Sequence, residues 1–88
     1  MKIPKQVKLG GIAWEVREGY LAGNLGVCRN DRGTIYLDSS LPDAVKKQTY
    51  CHELVHAILF SMGKPADQHD EVFVDGFATF LHQYLEKH

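Results

Sequence analysis

Cysteine and proline are scarce in this 88-residue chain, and neither sign of charge is in clear excess. The two cysteines, Cys28 and Cys51, form no C-x-x-C pair, so free thiols are expected in place of a disulfide framework. Ten Lys and Arg against eleven Asp and Glu leave a formal net charge of -1. Lys2, Lys5, Lys8, Lys46 and Lys47 are offset by acids elsewhere, and no basic stripe recommends nucleic acid as a partner. No hydrophobic run approaches the roughly 20 residues of a membrane span. The start, Met1-Lys2-Ile3-Pro4-Lys5, leads into a polar segment with no apolar signal core, so a soluble, cytoplasmic protein with no membrane partner is expected. There are no internal repeats, low-complexity tracts or linkers. The length suits a single domain over 1–88, near the size at which a bound metal adds useful stability.

What the chain does contain is His52-Glu53-Leu54-Val55-His56. Residues four apart lie on one face of an α-helix about one turn from each other, so His52 and His56 can present ring nitrogens to one metal ion. Glu53 falls beside them. Zn²⁺ held by neutral imidazoles with one open position lowers the pKa of a bound water to about 7, and a neighbouring carboxylate can then take its proton. The pattern is a signature of metal-assisted peptide hydrolysis. The competing reading is a chance histidine pair on a solvated helix face. Against it stand the strong patterning of the surrounding helix and the acids that follow at helical spacing. Cys51, although adjacent to His52, points about 100° away on a helix and reads as packing.

The expected fold class is α+β, with a small antiparallel-rich sheet packed on two helices. Residues from about Val7 to Glu18 alternate, with Ile12, Trp14 and Val16 on one face, as in a half-buried strand with Trp14 as a core anchor. Leu25 to Arg29 and Thr34 to Asp38 flank Asn30-Asp31-Arg32-Gly33 and read as a hairpin near 25–38 with Gly33 at positive φ. Ser40-Leu41-Pro42-Asp43 resembles a capping box for the motif helix, expected over about 41–62 and stopped by Gly63 and Pro65. Leu54, Val55, Ile58 and Leu59 supply its buried surface. Asp67 is the expected cap of a second helix, about 68–86, with Phe73, Val74, Phe77, Phe80, Leu81, Tyr84 and Leu85 as its apolar side. Glu71, Asp75, Ala78 and His82 form a separate stripe, where the small Ala78 permits close helix approach.

A catalytic zinc usually has three protein ligands. Candidates for the third are Glu71, Asp75, His69 and His82. His82 lies about 10–16 Å along the helix from the two acids, too far to join either at one ion. His88 is terminal and is set aside. Helical rise counted from Gly63 leaves Glu71 and Asp75 about equally near the histidines.

His52-Glu53-Leu54-Val55-His56 followed by Glu71-Val72-Phe73-Val74-Asp75-Gly76-Phe77-Ala78 resembles the gluzincin pattern, H-E-x-x-H and then E-x-x-x-D on the next helix. Along nearly its full length the chain is similar to the smallest members of that clan, the minigluzincins and the phage or mobile-element ImmA/IrrE-like metallopeptidases. The resemblance implies one zinc per chain, with Glu71 as third ligand and Asp75 orienting His52 through its outer ring N–H. It also implies a peptide or protein substrate, as restricted as a single regulator protein, laid along the strand Thr34 to Asp38 if that strand has a free edge. Larger gluzincins add a His or Tyr that stabilises the oxyanion from a downstream subdomain. Tyr36, Tyr50, Tyr84 and His82 are candidates for that part. The rival class is a non-catalytic zinc-binding interaction module, to which Glu53 would be superfluous.

Overall fold

A computed structural model describes residues 1–87; His88 lies outside the described residues. Its elements are β1 (Gln6–Leu9), β2 (Ile12–Gly19), β3 (Gly26–Arg29), β4 (Thr34–Asp38), α1 (Asp43–Ser61) and α2 (Glu71–Lys87), with short 3₁₀ turns at Asn30–Arg32 and Ala66–Gln68. The class is α+β, as expected. The sheet runs β1-β2-β4-β3, with β1 against β2 and β3 against β4 antiparallel, and β2 beside β4 parallel.

The stretch expected as one strand from Val7 to Glu18 is two. Gly10 and Gly11 sit at φ 59° and 84° and fold it into a hairpin that pairs Val7 with Trp14. Two successive positive-φ residues match the right-handed twist of the flanking strands, and glycine reaches them without steric cost. Trp14 and Val16 enter the core as expected, but Ile12, on the same face, is exposed beside the turn. The second hairpin forms as expected, with Gly33 at φ 56° after the 3₁₀ turn.

Helix α1 begins two residues later than expected, and Ser40 does not cap it. Pro42, in extended conformation, occupies the cap position and its carbonyl accepts from the Lys46 amide at 2.9 Å. Ser40 instead donates its amide and hydroxyl to Asp38 Oδ1, closing the bend after β4. At the other end Gly63 stops the helix at φ 87°. Its amide donates to the Phe60 carbonyl and that of Lys64 to the Leu59 carbonyl, the paired bonds of a Schellman end. The cap of α2 is Asp70, whose Oδ1 accepts from the amides of Val72 and Phe73; Asp67 lies in the preceding 3₁₀ turn.

Helix α1 crosses β3 and β4 and packs on α2. The core joins Trp14, Val16, Ile35 and Leu37 of the sheet to Tyr50, Cys51, Leu54, Val55 and Ala57 of α1 and to Val74 and Ala78 of α2. Ile58, Leu59, Leu81 and Leu85 flank it. Cys51 is fully buried packing and both cysteines are free, as expected. The apolar side expected for α2 divides in two. Val74, Ala78, Leu81 and Leu85 follow the 4-3-4 seam that meets the core, while Phe73, Phe77, Phe80 and Tyr84, one position away, are exposed.

Candidate metal centre

His52 and His56 emerge one turn apart from the middle of α1, where Cys51, Leu54 and Val55 are buried on the core side. The buried Ala78 lets α2 lie close against α1, and the first turn of α2 then brings Glu71 over the two imidazoles. Glu71 spans them: Oε1 is 3.2 Å from His56 Nε2 and Oε2 is 3.5 Å from His52 Nε2. Ligand atoms about 2.0–2.1 Å from a tetrahedral zinc stand roughly 3.3 Å apart, so these separations suit a shared ion. The candidate donors of His52, His56 and Glu71 all lie within 4.8 Å of one another, and among the described residues this is the group that could hold a metal.

Asp75, one turn further along α2, does not face that point. Its Oδ1 lies 2.8 Å from His52 Nδ1, the nitrogen on the far side of the ring. A carboxylate there accepts the Nδ1 proton and leaves Nε2 with its lone pair toward Glu71. His69, a candidate ligand from sequence, has both ring nitrogens engaged elsewhere: Nδ1 is 2.7 Å from His56 Nδ1 and Nε2 is 2.8 Å from the Lys64 carbonyl oxygen. His82 has its ring nitrogens on Gln48 and Glu86 and is not among the grouped donors.

Glu53 is 9% exposed, and among the described residues no donor hydrogen-bonds its carboxylate. Burial pushes its pKa above the usual carboxylate range; His52 opposes that rise and Glu71 adds to it. A carboxylate raised in this way is a better proton acceptor near neutral pH than an exposed glutamate. Burial also lowers the pKa of His56, with Glu71 opposing, which favours the neutral imidazole that a metal requires.

Two hollows meet at Glu53. One, of about 320 Å³, is lined by Leu25, Gly26, Gln48, Thr49, His52, Glu53 and Asp75. The other, of about 210 Å³, includes Cys28, Asn30, Glu53, His56, His69 and Glu71. Burial raises the Cys28 thiol to about 12, and its Sγ lies 3.2 Å from Asn30 Oδ1, so it is a protonated lining group. Neither hollow is lined by Tyr36, Tyr50, Tyr84 or His82. Tyr50 lies in the core.

The strand beside the site also differs from expectation. Thr34–Asp38 is interior, hydrogen-bonded to β2 on one side and β3 on the other, so it has no edge for a peptide. The outer strand on this side is β3, whose start at Gly26 lines the larger hollow. Sequence reasoning overlooked Gly26. A Cβ there would stand 2.7 Å from Thr49 Cγ2 and 3.1 Å from Glu53 Cγ, and glycine is what lets the strand pass so close to α1. A lone glycine opening an apolar run was its only trace in the sequence.

No protein-family model, curated protein or solved structure matches this chain.

Proposed function

We propose that this chain is a zinc-dependent metallopeptidase of gluzincin type, with His52, His56 and Glu71 holding the ion and Glu53 acting as general base. The observation that carries the reading is the convergence of two Nε2 atoms on one carboxylate, with Glu53 buried alongside and Asp75 behind His52. The donor set is two imidazoles and one carboxylate, which leaves a tetrahedral ion one position for water or substrate. Bound there, zinc supplies Lewis acidity, which acidifies a water and polarises a carbonyl.

The protein's own groups account for the remaining steps. Glu53 accepts the proton of the attacking water at its carboxylate, which burial has made more basic. The water oxygen bonds to the carbonyl carbon, and Glu53 returns the proton to the amide nitrogen as the C–N bond breaks, so the products are an amine and a carboxylic acid, which then ionises to the carboxylate. The outer edge of β3 can receive an extended substrate by backbone hydrogen bonds, beside the hollow that Gly26 and Glu53 line.

The test is metal analysis of the purified protein together with a peptide-hydrolysis assay. About one zinc per chain is expected. His52→Ala and His56→Ala should lose it, while Glu53→Gln keeps the metal and loses hydrolysis. A protein with no zinc, whose melting is indifferent to added Zn²⁺, contradicts the reading, because any native-state ligand raises stability. Zinc binding with no hydrolysis of any peptide or protein by the wild type would favour the interaction module.

A further inference from the structure

We propose that His69 is a positioning residue for His56, selecting which nitrogen of that ring carries the proton; this rests on the zinc reading above. His69 stands in the link between the helices, just past the Ala66–Gln68 turn, and its amide donates to the Ala66 carbonyl. The His56 and His69 ring planes lie within 17° and their centroids are 5.0 Å apart, with 2.7 Å between the two Nδ1 atoms. A short nitrogen–nitrogen distance at that centroid separation places the rings side by side in nearly one plane, not face on face. That is the geometry of an in-plane N–H···N hydrogen bond.

The direction of this bond follows from its far end. His69 Nε2 is 2.8 Å from the Lys64 carbonyl oxygen, and a carbonyl only accepts, so Nε2 carries a hydrogen. A neutral His69 then has its lone pair on Nδ1. Two lone pairs cannot face each other at 2.7 Å, so the hydrogen between the rings belongs to His56 Nδ1. A neutral His56 in that form has its free lone pair on Nε2, the atom that faces Glu71. The Lys64 carbonyl thus sets the tautomer of a ligand two rings away. It is itself held by the Schellman end of α1, through the Lys64 amide on Leu59. His52 receives the same service from Asp75.

The experiment is a zinc competition titration of wild type, His69→Ala, His69→Phe and His69→Asn, with metal-free melting recorded for each. Ala and Phe should weaken zinc by about 10–100-fold while stoichiometry stays at one, the usual scale for losing a group that orients a ligand. Asn should recover most of the affinity, because its side-chain oxygen can take the acceptor place of Nδ1. A space-filling role predicts the reverse order, with Phe close to wild type and Asn impaired. A long-range ¹H–¹⁵N spectrum of the zinc-loaded wild type supplies a readout that needs no variant: His56 should show a protonated Nδ1 and a metal-bound Nε2. Metal on Nδ1 of His56, or wild-type affinity in the Phe variant, overturns the proposal while leaving the zinc site standing. A wild type that takes up no zinc overturns both.

Discussion

Gly26→Ala tests how closely β3 must approach α1 beside Glu53. The added Cβ would meet Thr49 Cγ2 at 2.7 Å, Glu53 Cγ at 3.1 Å and the Tyr36 carbonyl oxygen at 3.3 Å. Thr49 cannot easily turn aside, because it is buried and its hydroxyl donates to the Val45 carbonyl at 2.8 Å. Forcing an extra methyl into a packed site costs about 1–3 kcal/mol. About 0.5–1 kcal/mol returns, since alanine loses less backbone freedom than glycine on folding. Taking the middle of each range, the net loss should be about 1.3 kcal/mol, or roughly 5–10 °C in Tm for a domain of this length. Thr49→Ser removes the opposing methyl and keeps the hydroxyl, so in the double variant most of the penalty should vanish. Urea and thermal denaturation of the four proteins in this cycle measure the coupling directly. Strict additivity, or an alanine variant as stable as wild type, would show that β3 has room to move and that the contact with α1 is not tight.

Three further outcomes are expected. Glu71→Ala should reduce zinc affinity severely, and Asp75→Ala by about 10–100-fold with the metal still bound, as read by competition titration; the opposite order would make Asp75 the ligand. Asp70→Ala removes the side-chain cap of α2 and should cost about 0.5–2 kcal/mol in denaturant melts, whereas Asp67→Ala should leave that helix end unchanged. The Asp38 carboxylate is held below the usual range by the Ser40 hydroxyl, by the amides of Ser40 and Leu21, and by Lys46. A depressed folded pKa means that its stabilisation is complete above the unfolded value near 3.9 and fades as pH falls through the folded one. The stability gap between wild type and Asp38→Asn should therefore be widest at neutral pH and close in acid; a gap that stays constant from pH 7 to pH 2 would show that the charge is irrelevant.

The parts of this protein that its sequence determined are those decided within a few neighbouring residues. The i and i+4 spacing puts His52 and His56 on one helix face whatever lies around them. Gly63 ends that helix and Gly33 closes its hairpin because each supplies a backbone conformation that other residues adopt at a cost. The Gly10-Gly11 turn was legible on the same grounds, but continuous alternation on either side of it concealed the reversal. Capping was less secure. Ser40, Asp67 and Asp70 all belong to types that cap helices, and which of them does so depends on where the chain bends around it.

Tertiary structure decided what depends on surfaces far apart in the chain. Counting residues left Glu71 and Asp75 equally near the histidines, because the approach of the second helix is set by Val74 and Ala78 seated against α1 and not by the length of the link. In that packing Glu71 faces both Nε2 atoms and Asp75 stands behind His52. The interior place of Thr34–Asp38 has the same kind of origin: it arises when β4 inserts between β2 and β3, and alternation along a single strand carries no information about its neighbours. His69 has no motif to mark it. Its part emerges only when the turn at Ala66–Gln68 folds back and lays one imidazole edge to edge with another, thirteen residues away in sequence.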